Sequence, residues 1–153
     1  MDRLFKDYNC DADQLSPLTL AFLGDCVYDL FVREMLVCQA NRSTRKLHSC
    51  AVERVKASAQ AEACEKILPL LTEKEMAVFK RGRNAHPHHM PKNGNPRDYH
   101  FATATEALFG YLYLNGEIDR LRELFSVIIK EEAYEESEKS VSSAKKPLKR
   151  LIS

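Results

Sequence analysis

Two acidic residues stand inside stretches of sequence that are otherwise almost entirely apolar. Asp25 lies within the run from Leu15 to Val37, and Glu106 lies within the run from Phe101 to Leu114. An ionised carboxylate in an apolar setting is costly unless something neutralises it. Each acid therefore needs a group that neutralises it: a metal ion would give the acids a chemical role, whereas a basic partner would make them structural.

The two acids are expected to lie side by side. Gly24 precedes Asp25, and Gly110 follows Glu106 by one helical turn. Glycine inside a helix indicates close approach of another backbone, and two adjacent carboxylates repel strongly at low dielectric. A shared proton or a bound cation would relieve that repulsion, and two carboxylates with retained waters suit Mg²⁺. Ordinary ion pairs remain the alternative, and the candidate partners are Arg33, Arg81 and Arg83.

Hydrophobic periodicity predicts an all-α protein. Ser16 and Pro17 start a first helix, which is apolar on all sides and is therefore expected to be buried. Thr72 and Glu75 form the capping box of a later helix. The predicted helices cover residues 17–37, 45–68, 73–84, 101–114 and 117–136, with a long Pro-, Gly- and His-containing loop over 84–99.

Length, charge and cysteine usage limit the class of protein. A chain of 153 residues is expected to form one domain, here residues 1–136, followed by a polar and basic tail over 137–153. A net charge of +1 argues against a strongly basic binder. Five widely spaced cysteines indicate reduced thiols in a cytoplasmic protein, and no apolar run is long enough to span a membrane.

Three segments together resemble the ribonuclease III family. FLGDCVYD, from Phe22 to Asp29, is similar to that family's signature helix, and TEALFGYLYLNG, from Thr105 to Gly116, is similar to its second metal-binding helix. FKRGRNA, over residues 79–85, resembles the segment between them. With its short length and without a following RNA-binding module, the chain looks like the Mini-ribonuclease III branch.

The resemblance implies a helical homodimer that cuts double-stranded RNA with Mg²⁺, for which Mn²⁺ can substitute. Asp25 and Glu106 match the family's metal ligands, and Phe22 matches the phenylalanine that packs into the partner subunit. Two further carboxylates of the family's site are missing here, because Ala21 and Thr103 occupy their positions. Fewer anionic ligands should hold the metal more loosely, so a second metal ion is not expected.

A basic segment is the expected contact for RNA phosphates. Residues 80–97 contain no acid, and the basic residues are Lys80, Arg81, Arg83, Lys92 and Arg97. A-form RNA is recognised through its shape, phosphates and 2′-hydroxyls, and this loop could replace part of the missing RNA-binding domain. The resemblance further implies maturation of 23S ribosomal RNA precursor, with a large-subunit ribosomal protein as a further partner. The alternative is a catalytically inactive RNA-binding or ribosome-assembly dimer.

Overall fold

The computed structural model describes residues 3–86, 89–90 and 92–130. These parts of the chain contain helices and no strand, which confirms the predicted all-α class. The helices are α1 Pro17–Gln39, α2 Thr44–Val55, α3 Ala57–Ile67, α4 Glu73–Arg83, α5 Pro96–Leu114 and α6 over 118–130, with 3-10 turns at Ala12–Gln14 and Leu68–Leu70. The predicted tail and the predicted end of the last helix lie outside the described residues.

Helix α5 is the centre of the fold. It is buried on nearly every side and packs against α1, α3 and α4. Phe109 of α5 lies in an aromatic cluster in which its ring centroid is 5.2 Å from that of Tyr28. Phe31 and Phe125 complete the cluster, with ring centroids 5.1 Å apart. The apolar pattern on all sides of α5 thus does correspond to burial. No helix in the described part of the chain is long and apolar enough to cross a membrane.

Helix α1 is not wholly buried, so that prediction is wrong. Leu20, Val32 and Leu36 face the core, whereas Phe22 and Leu30 on the opposite face are 82% and 55% exposed. The physical reason is that an apolar pattern reports only a preference for contact. The pattern does not determine whether the surface that packs against the helix belongs to the same chain. Within the described residues, nothing packs over Phe22 and Leu30 on this face.

The single helix predicted over 45–68 is two helices. Helix α2 ends at Val55 and α3 begins at Ala57, with Lys56 between them in an extended conformation at φ −62° and ψ 152°. The apolar period continues across the break, and lysine is a good helix former, so neither pattern nor propensity marks it. Helix α5 also begins five residues earlier than predicted, at Pro96, where the Asn95 side chain accepts a hydrogen bond from the Arg97 N–H.

The predicted caps at the starts of α1 and α4 are confirmed. Ser16 Oγ accepts from the Thr19 N–H at 3.1 Å. Thr72 and Glu75 form both hydrogen bonds of the capping box, at 3.2 and 2.8 Å. Glu75 is only 5% exposed, and Arg120 of α6 donates to both of its carboxylate oxygens at 2.8 and 2.9 Å. This buried ion pair joins the start of α4 to α6.

Glu75→Gln is expected to destabilise the fold in a pH-dependent way. The Arg120 guanidinium holds the pKa of Glu75 below its usual value. A lowered pKa contributes stability above about pH 4.5, which is lost as the pH falls through the folded-state value. Breaking a buried pair costs roughly 3–5 kcal/mol. We therefore expect a lower urea midpoint at pH 7 and a much smaller difference between variant and wild type at pH 3.

Asp119→Asn provides the matched control for that measurement. Asp119 pairs with Arg122 at 2.7 Å on the surface of the same helix as Arg120, and exposed pairs contribute little. Its urea midpoint should stay close to wild type at both pH values. An equal loss for Glu75→Gln at pH 7 and pH 3 would contradict a charge contribution, because glutamine retains the capping hydrogen bond.

Candidate active site

Helices α1 and α5 cross at two glycines. A Cβ atom on Gly24 would collide with the backbone carbonyl of Glu106 and lie 2.7 Å from the Gly110 nitrogen. A Cβ atom on Gly110 would collide with the Leu20 carbonyl. The predicted close crossing is therefore confirmed, and it brings the backbone beside Asp25 against the backbone of Glu106.

The two acidic side chains lie at this crossing, and the charge of Asp25 acts on Glu106. Burial raises the pKa of Glu106 to about 7, and the negative charge of Asp25 adds to that effect. Partial desolvation and the nearby Asp29 also raise the pKa of Asp25. Asp25 is on the exposed side of α1, whereas Glu106 is half-buried. The site is therefore a pair of acids at the edge of the core, open to solvent on one side.

Two further polar residues belong to this site and were not singled out by sequence reasoning. Gln60 of α3 donates from Nε2 to Glu106 Oε1 at 3.1 Å. Asp29 lies one turn after Asp25 and accepts from Arg33 Nε at 2.6 Å. The available signals were a lone amide in an alanine-rich helix and an acid four residues after Asp25. Neither pattern predicts which residues lie at the site, because that depends on how the helices pack.

The ion-pair alternative is not supported by the side-chain positions. Arg33 pairs with Asp29, Arg81 donates to the Leu15 carbonyl at 2.9 Å, and Arg83 donates to Asn84 Oδ1 at 3.4 Å. Among the described residues, no basic side chain contributes to the electrostatics of either acid at the crossing. Their mutual repulsion is thus not offset by an arginine or lysine in this part of the structure.

Comparisons with known proteins agree with the fold. The ribonuclease III domain model matches residues 18–117, which is well over half of the chain. The chain belongs to the ribonuclease III family. It is 45% identical over 115 residues to Mini-ribonuclease 3 of Thermoanaerobacter sp. (strain X514), covering 75% of this chain and 81% of that protein. It is 47% identical over 110 residues to Mini-ribonuclease 3 of Symbiobacterium thermophilum, covering 72% and 85%.

A solved structure has the same fold. The crystal structure of a Fusobacterium nucleatum protein superposes with a TM-score of 0.71 at 29% identity, covering 78% of this chain and 95% of that one. Together with the relatives, this confirms the predicted resemblance to the Mini-ribonuclease III branch. The chain is accordingly an endoribonuclease of the ribonuclease III type. The family acts on double-stranded RNA and is generally dependent on divalent metal ions.

The positions of the two missing carboxylates contribute no ligand in this ribonuclease III domain. Ala21 is buried against the core. Thr103 is also buried, and its hydroxyl donates to the Tyr99 carbonyl at 3.0 Å. In the described parts of the chain, no group of three or more His, Cys, Asp or Glu side chains is arranged to hold a metal ion. Neither Ala21 nor Thr103 therefore adds an acidic donor at the crossing.

A hard divalent cation fits this donor set. Both acids offer carboxylate oxygens, which Mg²⁺ and Mn²⁺ accept as ligands. Burial and, to a lesser extent, the charge of Asp25 raise the pKa of Glu106, and a positive charge between the acids would favour the ionised form against both effects. Solvent access at Asp25 leaves room for the waters that Mg²⁺ retains. The fit follows from the charge and chemistry of the side chains that are present.

The predicted RNA-binding residues are spread over the end of α4, the following loop and the start of α5. Lys80 and Lys92 are exposed side chains. Arg97 pairs with Glu65 at 3.0 Å and lies over the Phe101 ring at 5.2 Å. Arg81 and Arg83 make the hydrogen bonds given above. The three arginines thus make contacts within the protein, whereas the two lysines are exposed to solvent.

Phe22, for which the resemblance predicts a dimer contact, belongs to an exposed apolar face. It is on the exposed face of α1, and Leu30 and Val37 continue the same apolar face. A neighbouring cavity of about 340 Å³ is lined by apolar residues of α1 together with Leu4 and Tyr113. A contiguous exposed apolar surface of this kind marks an interaction site.

Proposed function

We propose that the chain is a Mg²⁺-dependent endoribonuclease that hydrolyses double-stranded RNA as a homodimer, with Asp25 and Glu106 as its metal ligands. The single observation that carries the proposal is the pairing of these two acids at the α1–α5 crossing without a basic partner among the described residues. Mn²⁺ would substitute for Mg²⁺, because both ions accept oxygen ligands.

The chain's own residues would prepare the site for phosphodiester hydrolysis. Asp25 and Glu106 would hold the ion through carboxylate oxygens, and the glycine crossing keeps the two helices in a fixed relation. Gln60 donates a hydrogen bond to Glu106 Oε1. A bound divalent cation supplies an activated water and stabilises charge that develops on the phosphate and the leaving oxygen. The expected products are a 5′-phosphate and a 3′-hydroxyl.

A two-fold dimer would give one site per RNA strand. The exposed face of α1 that contains Phe22 supports a contact between identical subunits. Two sites related by a two-fold axis would cut both strands of a duplex with a stagger. Sedimentation equilibrium should find a dimer at micromolar concentration, and a monomer would contradict this part of the proposal.

The proposed cellular role is maturation of 23S ribosomal RNA precursor in the cytoplasm. It rests on similarity to Mini-ribonuclease 3 proteins over most of the chain. A large-subunit ribosomal protein bound to the precursor is the further proposed partner. No structural observation favours a catalytically inactive RNA-binding dimer, although the absence of acids at Ala21 and Thr103 is compatible with one.

Incubation of the purified protein with duplex RNA tests the proposal. Cleavage should require Mg²⁺ or Mn²⁺, should stop on chelation, and should spare single-stranded RNA of the same sequence. A 23S precursor fragment that contains its terminal duplex should be cut within that duplex. No cleavage with either ion, or equal cleavage of single strands, would overturn the proposal.

Lys80→Gln and Lys92→Gln are expected to weaken RNA binding similarly for all duplex sequences. Both lysines are exposed, and they lie on the end of α4 and on the loop that leads into the helix of Glu106. Removing one phosphate contact should lower the slope of log affinity against log salt concentration by about 1. Fluorescence anisotropy with labelled duplex RNA, without divalent ions and over a salt series, measures both effects.

Lys74→Gln is the control for that salt series. Lys74 is at the opposite end of α4 and pairs with Asp13 at 3.4 Å. Its removal lowers the net charge by the same amount, so a general electrostatic effect would appear in all three variants. RNA binding by this segment would be contradicted if the salt slopes were the same for Lys80→Gln, Lys92→Gln and Lys74→Gln.

A further inference from the structure

Gln60 is a buried amide between α3 and the acidic site. It is only 2% exposed, in a helix whose other buried residues are small or apolar. Nε2 donates to Glu106 Oε1 at 3.1 Å and to the Val55 carbonyl at 2.9 Å. A single side chain thus links the carboxylate to the backbone at the end of α2.

Both donors of the Gln60 amide point to acceptors, which determines its orientation. A glutamine amide has two N–H groups, and here both contacts are made to oxygens that cannot donate when Glu106 is ionised. If the amide were rotated by 180°, Oε1 would face the same two oxygens, and acceptors would be in contact with acceptors. In the observed orientation, Gln60 Oε1 is buried without a hydrogen-bond partner among the described residues. A buried unsatisfied acceptor is unfavourable, so this glutamine is not explained by packing.

The break between α2 and α3 provides the second anchor. Lys56 is extended, so the helix ends at Val55. The last carbonyls of a helix have no intrahelical partner and must be satisfied from elsewhere. The Val55 carbonyl is satisfied by the Gln60 amide, which therefore connects the break directly to Glu106.

We infer that Gln60 is a positioning residue for RNA cleavage, because it holds Glu106 Oε1 in place and leaves Oε2 as the oxygen available to the metal ion. This inference rests on the proposed function, since it assigns Gln60 a task only if Glu106 is a ligand. A ligand held by a hydrogen bond from behind binds metal more tightly and in one geometry. The orientation of each proposed ligand therefore affects how firmly the ion is held.

Gln60→Met tests the inference, because methionine has a similar length and no N–H donor. Loss of a hydrogen bond that orients a metal ligand typically lowers metal affinity or activity by about 10–100-fold. Calorimetric titration with Mn²⁺ alone should therefore give a dissociation constant about tenfold higher than wild type. Steady-state cleavage of duplex RNA at saturating Mn²⁺ should give a lower kcat with an unchanged KM, because no RNA contact is removed.

Ile67→Val is the control for an effect through the fold. Ile67 is fully buried on the same helix and has no hydrogen-bonding side chain, so its truncation should lower the melting temperature while Mn²⁺ affinity and kcat stay at wild-type values. Unchanged Mn²⁺ affinity in Gln60→Met would overturn the inference even if kcat fell. The side-chain amide signal of Gln60 in metal-free protein should also shift in Glu106→Gln, and an unmoved signal would likewise overturn it.

Failure of the proposed function would look different from failure of this inference. If Asp25 and Glu106 hold no metal, Asp25→Asn would bind Mn²⁺ and cleave like wild type, and both proposals would fall. If Asp25→Asn loses Mn²⁺ binding and cleavage while Gln60→Met retains both, only the positioning role of Gln60 is excluded.

Discussion

Asp25→Asn and Glu106→Gln should each abolish cleavage of duplex RNA. Each change keeps the size of the side chain and removes one negative charge from the two at the helix crossing. The remaining acid cannot hold a divalent ion firmly, so both water activation and charge stabilisation are lost. We expect a fall in kcat of about 10³-fold or more, since loss of transition-state charge stabilisation is costly on this scale. Gel assays with labelled duplex RNA at several Mg²⁺ concentrations measure it.

The folded state of both variants should survive, which separates a catalytic effect from a structural one. Neutralising either acid removes the repulsion between them, and Glu106→Gln also removes the cost of burying a charge, which is the main reason for the raised pKa of Glu106. The metal-free variants should therefore unfold at urea concentrations no lower than wild type. Glu62→Gln makes the same chemical change at an exposed position of α3, and it should cleave normally. Normal cleavage by either site variant would show that the metal assignment is wrong.

Gly24→Ala and Gly110→Ala should both cause a large loss of stability. Added Cβ atoms would meet backbone atoms of the facing helix, which cannot rotate away as a side chain could. Helices α1 and α5 would have to separate, and overpacking of this kind costs about 3 kcal/mol or more. The higher helix propensity of alanine offsets only about 1 kcal/mol of this cost. Urea unfolding followed by circular dichroism should give much lower midpoints or partly unfolded protein.

Gly116→Ala gives the comparison for these variants. Gly116 has φ of 73°, and a Cβ atom there would meet nothing within 4 Å. Its substitution tests backbone strain alone, with an expected cost of about 1–2 kcal/mol. Equal losses for all three glycines would contradict a special role for the crossing. Wider separation of the helices should also reduce cleavage in Gly24→Ala, because it moves Asp25 away from Glu106.

Local sequence signals were sufficient for the class of fold and for most helix starts. Ser16, Thr72 and Glu75 cap their helices as predicted, because capping depends on residues that are close in sequence. The glycines predicted a close crossing, because a residue without a side chain has few other uses in a helix. The acids Asp25 and Glu106 stood out because a charge inside an apolar run is energetically anomalous wherever the helix packs.

Tertiary structure decided which of the possible neighbours each residue meets. It separated Arg33, Arg81 and Arg83 from the acids, opened one face of α1 and broke the second predicted helix at Lys56. It also brought Gln60 to Glu106 across 46 positions of sequence. Periodicity and propensity describe the preference of a segment for burial or for a helix, whereas these contacts depend on how separate helices pack. The sequence by itself thus determined that the charges of two carboxylates in apolar stretches had to be neutralised. Only the packing of α1, α3 and α5 decided which residues surround them.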